Sequence, residues 1–150
     1  MKQAFVTPHD PTQALKVLGA DVRFLCEAEH TATAFSMMEV MLPQGAGPPP
    51  HHHEWDEAYY VADGRVRFQL GSEVREVGPG DFLYAPGGTV HGFSGLSATP
   101  ARVLILDAPA HAAGFFRQVH RDVKQMPEDG AKIPGIGLQH GIHFLPPCAD

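Results

Sequence analysis

The chain has 150 residues, of which 43 % are hydrophobic and 19 % charged, and its formal net charge is −6. That length supports one domain with a core of its own, and the composition excludes a disordered chain. The acidic balance, with no cluster of Lys and Arg, excludes a general nucleic-acid binder, and no apolar run reaches the length of a membrane span.

The start, Met1-Lys2-Gln3-Ala4-Phe5-Val6, runs into Thr7-Pro8 without the pattern of a signal peptide. The two cysteines, Cys26 and Cys148, do not make a disulfide framework. Together these predict a reduced, cytoplasmic protein, with Cys26 a small core residue and Cys148 exposed near the C-terminus. The 16 glycines and 14 prolines are spread along the chain, as short strands joined by turns require.

In chain order, Ala14 to Leu18 reads as a strand ended by Gly19, and the alternation of Val22, Phe24 and Cys26 as a second. Thr33 to Leu42 reads as a longer strand. Phe35, Met37 and Met41 share one face with Glu39, and Ala34, Met38, Val40 and Leu42 the other, with all three methionines expected to line a barrel. Its helical alternative is set aside because Pro43 and Gly45 end the run. Val66, Phe68 and Leu70 alternate with Arg65, Arg67 and Gln69, a half-buried strand. Gly71-Ser72 turns the chain, Val74 and Val77 lie on the return, and Gly78-Pro79-Gly80-Asp81 turns it again. Phe82 to Ala85 and Thr89 to Phe93 follow as strands. Val103 to Leu106 is apolar throughout and reads as buried on both faces. Asp107-Ala108-Pro109 reads as a helix start, and the spacing of Phe115, Phe116, Val119 and Val123 predicts a helix from about Ala110 to about Lys124. Pro127 to Gly137 reads as irregular, and Gly141 to Pro147 as a short strand or docked tail. The sum is an all-β fold: an antiparallel barrel or sandwich of the jelly-roll type, with a C-terminal helix. One domain spans 1–150, its barrel core about 33–107 and its helix and tail 108–150.

Chemistry gathers in two stretches. The first is Gly45-Ala46-Gly47-Pro48-Pro49-Pro50-His51-His52-His53-Glu54-Trp55-Asp56-Glu57. Side chains alternate along a strand, so His51, His53 and Glu57 point one way and His52 the other. Trp55, Tyr59 and Val61 share their parity. The second stretch, Gly80 to His91, brings a further imidazole from a later strand. Three imidazoles and a carboxylate suit one divalent transition metal, Fe, Ni, Mn, Cu or Zn, with positions left for water or substrate. His9, His30, His111, His120, His140 and His143 have no such spacing and read as surface or packing residues. Cys26 has no basic neighbour in sequence to activate it as a nucleophile.

These residues resemble the two signature motifs of the cupin superfamily. Gly45, His51, His53, Glu57 and Gly64 keep every spacing of the first motif. Gly80, Pro86, Gly88 and His91 keep those of the second, and Gly95 stands where that motif ends in Asn. The resemblance implies a double-stranded β-helix, a metal held by His51, His53, Glu57 and His91, and a homodimer. Small single-domain sequences with this ligand set resemble quercetin dioxygenase-like cupins, and the closing segment Gly141 to Pro147 is similar to the tails of such bacterial sequences. By that resemblance the substrate is a flavonol-like, phenolic or enolic small molecule. Glu57 would be both ligand and base, with Tyr59, Val61, Phe93 and Trp55 around the substrate. A metal-dependent isomerase, cyclase or lyase that needs no O2, and a non-catalytic small-molecule-binding protein, remain the alternatives. No helix-turn-helix segment precedes the barrel, which makes a DNA-binding regulator improbable.

Overall fold

The computed structural model describes residues 2–146; the expectations for Pro147 and Cys148 lie outside the described residues. The described residues form eleven strands: β1 (Leu15–Val17), β2 (Ala20–Cys26), β3 (Ser36–Leu42), β4 (His51–His52), β5 (Asp56–Asp63), β6 (Val66–Leu70), β7 (Glu73–Val77), β8 (Phe82–Ala85), β9 (His91–Gly95), β10 (Ala101–Ala108) and β11 (His143–Phe144). Two helices, α1 (Ala113–Asp122) and α2 (Ile133–Gln139), lie between the last two strands. One sheet has the order β1-β2-β3-β10-β5-β8 and the other β11-β4-β9-β6-β7. Every paired strand is antiparallel to its neighbours. This is the jelly-roll architecture that the alternation of apolar residues predicts. Among the described residues no helix is long and apolar enough to cross a membrane.

Period-two patterning decides what each strand buries. In β3, Met38, Val40 and Leu42 point into the space between the sheets, and in β10 Val103 and Ile105 do so. Two expectations fail on this alternation. Met37 and Met41 lie on the other face, so only Met38 of the three methionines lines the interior. Leu104 and Leu106 are half-buried on the outer face, so the apolar run at Val103 to Leu106 is not buried on both sides. The outer face of this sheet also holds a charged group. Glu39 accepts from Arg102 Nε at 2.7 Å and lies 3.4 Å from Arg23 Nη2, which ties β2, β3 and β10 together. Cys26, at the end of β2, is half-buried rather than core.

The helical region differs most from its sequence reading. Asp107 does not open a helix; it is the last inward-facing residue of β10 and fully buried. The helix starts later, at Ala113, and turns Phe115 and Val119 inward. It closes over edge strand β1, where the Lys16 backbone N–H donates to His120 Nδ1 at 2.8 Å. Pro127 to Gly137 is not irregular throughout. It contains a helical turn at Gly130–Lys132 and enters α2, with Pro134 in the first turn, where its missing N–H costs nothing. Gly135 and Gly137 had masked this short helix, for glycine lowers helix propensity. The strand at Thr89 to Phe93 begins later and runs to Gly95.

Gly95 is where the second motif departs from its usual Asn, and the packing explains why a side chain is missing. Its N–H donates to Ala46 O at 3.1 Å, and its carbonyl accepts from Gly45 N–H at 2.9 Å. A Cβ built there would sit 2.3 Å from Pro43 O and 2.8 Å from Leu42 O. The motif residue is thus a backbone-to-backbone contact between the loop that starts the first motif and the strand that ends the second. Gly95→Ala is expected to destabilise the fold by about 1–3 kcal/mol, as overpacking against fixed atoms does. The midpoint of urea unfolding checks this; an unchanged midpoint would contradict the packing described.

Candidate metal centre

The two histidine-bearing stretches meet because glycines and prolines let their backbones approach. Pro48, Pro49 and Pro50 have no N–H to give, but their carbonyls accept: Pro48 O from Phe93 N–H at 3.3 Å and Pro50 O from Leu145 N–H at 3.0 Å. These contacts seat the two-residue strand β4 between β9 and β11, with His51 opposite His91. On the other side, Gly88 N–H donates to His53 O at 2.7 Å and Gly87 N–H to Asp56 Oδ1 at 2.8 Å. A Cβ on Gly87 would fall 2.1 Å from Glu54 O, so this approach needs glycine. Glu57 then enters from β5.

The structure brings His51, His53, Glu57 and His91 together, with one ligand atom of each within 4.8 Å of the others. The three imidazoles are buried, at 6 %, 2 % and 1 % exposure, while the Glu57 side chain is 12 % exposed. Each imidazole meets a backbone carbonyl through Nδ1: His51 with Pro49 O at 2.8 Å, His53 with Trp55 O at 3.0 Å, His91 with Thr89 O at 2.8 Å. A carbonyl only accepts, so Nδ1 carries the hydrogen and Nε2 presents a lone pair. Three such lone pairs and a carboxylate converge. His53 Nε2 lies in close contact with Glu57 Oε1, and His91 Nε2 lies 3.8 Å from the same oxygen, with no hydrogen-bond partner among the described residues. Three imidazole nitrogens and a carboxylate gathered at one point are a donor set that fits a divalent transition metal.

The electrostatics tie the four groups to one another: burial works against a charged His91, yet the nearness and charge of Glu57 raise its pKa above the ordinary value. Burial, and next the neighbouring His91, lower the His51 pKa to about 4, which keeps the ring neutral as a ligand must be. Burial works against ionisation of Glu57, yet His53 and His91 hold its carboxyl well below the usual range. Tyr59 donates its hydroxyl to Glu57 Oε2. Burial, and then the charge of Glu57, push the Tyr59 hydroxyl well above its ordinary value, so it stays a donor.

His52 points to the opposite face, stacked on His143 with ring centroids 4.9 Å apart. Trp55 stacks on His53 at 4.0 Å, with the rings 7° from parallel, while its own carbonyl receives the His53 Nδ1 hydrogen. Trp55 and Phe93 line the cavity beside the ligands, but Tyr59 and Val61 do not. Farther along β5, Tyr59 packs on Phe68 and Phe93, and Val61 is fully buried between the sheets. The parity was right, but these two side chains fill core rather than border open space.

Sequence reasoning missed the rest of the cavity and one carboxyl. Met38, Ile105, Phe115, Phe116, Ile142 and Phe144 complete the walls, several from the C-terminal region. Asp107 pairs with Glu57 across β10 and β5, fully buried, with no hydrogen-bond partner for either oxygen among the described residues. Burial, and next Glu57, push its carboxyl well above the ordinary range. The parity of Val103, Ile105 and Asp107 was the available signal. It was lost when Asp107 was read as a helix start.

Residues 38–107 match the model of the cupin domain family, Cupin_2. The chain is 28 % identical to quercetin 2,3-dioxygenase of Bacillus subtilis (strain 168) over 96 residues, which are 63 % of this chain and 28 % of that protein. The chain spans less than half the length of the curated relatives it matches. Among solved structures it is similar to KdgF from Halomonas sp., at TM-score 0.61 and 26 % identity, covering 72 % of this chain and 94 % of that one. It is also similar to the polyketide cyclase RemF from Streptomyces resistomycificus, at TM-score 0.58 and 25 % identity, covering 69 % and 80 %. With the family match lying over the stretch that carries the four converging ligands, and solved structures of similar fold, residues 38–107 form a cupin domain.

Proposed function

We propose that this chain is a metal-dependent enzyme that oxygenates a small neutral enol or phenol with O2. The observation that carries the reading is the contrast inside the cavity: His51, His53 and Glu57 stand among otherwise apolar walls, with no Lys or Arg lining it. A charged substrate body would be buried there unpaired, whereas an uncharged one meets its own kind. The sequence similarity to a quercetin 2,3-dioxygenase supports the same chemistry.

Three neutral imidazoles and one carboxylate leave a divalent ion with a single net positive charge, which a substrate oxyanion balances. When bound, the ion supplies Lewis acidity toward an enolic or phenolic oxygen and, if redox-active, electrons for activating O2. The chain's own residues do the rest. Glu57 Oε1 takes the proton of the substrate hydroxyl, while Oε2 keeps its hydrogen bond from Tyr59 and so stays oriented. Trp55 and the Trp55 carbonyl hold the His53 ring from its face and its Nδ1. Phe115, Phe116 and Phe144 keep bulk water from the reacting oxygen.

A second reading, cyclisation or isomerisation through an enolate without O2, is favoured by the likeness to RemF, a polyketide cyclase matched over 80 % of its chain. An oxygen electrode separates the two. Metal-loaded protein is expected to consume O2 with catechols or enolic diketones. Product formed without O2 uptake would establish the second reading, and binding without product would contradict both.

His53→Ala is expected to lower metal affinity by at least about 100-fold, more than loss of a residue that only supports a ligand. His52→Ala is expected to leave it unchanged. Elemental analysis with chelator competition measures both, and equal behaviour of the two variants would refute the ligand assignment.

A further inference from the structure

The cavity at the metal centre is too small for the molecule it is meant to receive. Its volume is about 50 Å³, a fraction of the roughly 150 Å³ that holds one benzene. A ring-sized substrate therefore enters only if a wall moves; Pro48 and Phe93 border an outer space of about 280 Å³ and Trp55 one of about 700 Å³, but the most spacious neighbour lies elsewhere. That neighbour, of about 900 Å³, lies between the Gly45–Pro50 loop and the C-terminal helices. Leu18, Gly47 and Phe144 line both spaces, so they are the partition between them.

The outer groove has the character of a ligand site. Ala46, Pro49, Val123, Ile133, Pro134 and Leu145 give it apolar walls; its polar lining is Gln69 with Lys16 and Lys124, whose ammonium groups are engaged by Asp21 and by His120 O, and no Asp or Glu among the described residues lines it. Met126 and Leu145 stand at it with 63 % and 41 % of their surface exposed. The partition itself is held in an uncommon way. Leu18 and Gly19 form the two-residue turn from β1 to β2, with φ +52° and +82°. Two positive φ values are the pattern of a hairpin turn usually given to Asn, Asp or Gly at its first position. A leucine there is strained, and what it gains is a half-buried apolar side chain set between the groove and the cavity.

We propose that the groove is an outer subsite for the apolar aryl or acyl body of the substrate, and that Leu18 and Phe144 gate its passage to the metal centre. The reacting end alone passes the gate. This rests on the inner cavity being the reaction site, but its test needs no turnover.

The neutral probe N-phenyl-1-naphthylamine is titrated into metal-loaded, full-length protein. It is expected to bind saturably at one site with enhanced fluorescence. Val123→Trp, which fills the groove away from the ligands, is expected to weaken binding at least tenfold with metal content unchanged. Met126→Trp at the rim serves the same purpose if the first variant does not fold. Leu18→Ala is expected to leave equilibrium metal content alone but to speed extraction of the metal by a chelator at least fivefold. No saturable binding, or affinity untouched by both groove variants, overturns the subsite; an unchanged extraction rate overturns the gate. A protein that binds the probe but turns over nothing keeps the subsite and loses the proposed reaction. One that turns over substrate but ignores the probe does the reverse.

Discussion

Three hydrogen bonds from imidazole Nδ1 to backbone carbonyls govern the site. Pro49, Thr89 and Trp55 each offer a carbonyl at 2.8–3.0 Å, and each thereby fixes a histidine tautomer and aims its Nε2 at a common point. The carbonyls belong to loop segments whose own positions are set by β4, β9 and β5. Ligand geometry is thus written in the backbone. A side-chain partner would have its own rotamers to lose; a carbonyl in a closed β framework has none.

The framework closes on glycine. Gly87 and Gly88 bring the second motif against His53 and Asp56, and Gly95 brings the end of β9 against the loop that opens the first motif. These approaches leave no room for a Cβ at Gly87, against Glu54 O, or at Gly95, against Pro43 O. The same economy explains why Gly95 is tolerated in place of a motif Asn. The residue acts through its N–H and carbonyl. Around the ligands, Tyr59 and Trp55 then provide what the backbone does not: a hydroxyl for Glu57 Oε2 and an aromatic face for His53.

Much of this was legible in the chain. The parity of His51, His53 and Glu57 against His52 follows from strand geometry alone, and the structure separates them on that line. The strands of the barrel were readable because each buries one face. What failed has physical causes. Tyr59 and Val61 point inward, as parity requires, but parity says nothing about whether an inward side chain meets open space or core. Val103 to Leu106 is apolar on both faces because the outer one carries the half-buried Leu104 and Leu106, so periodicity was hidden. Asp107 looked like a cap because Pro109 follows it, and a carboxylate before a proline is a common helix signal. A buried carboxyl that completes a strand is the rarer case, and its parity with Val103 and Ile105 was the sign of it in the chain. The cavity walls from Phe115, Phe116, Ile142 and Phe144 come from a region twenty or more residues past the second histidine motif, and no local pattern links them to the metal centre.

The central claim is that four side chains from two motifs hold one ion through Nε2 and carboxylate oxygen. Anomalous scattering from crystals of the freshly purified protein, collected at the absorption edge of the metal that elemental analysis finds, tests this directly. The account predicts a single strong peak about 2.0–2.2 Å from the Nε2 atoms of His51, His53 and His91 and from a carboxylate oxygen of Glu57. A peak bound elsewhere, or one bound through Nδ1 or without Glu57, would contradict it.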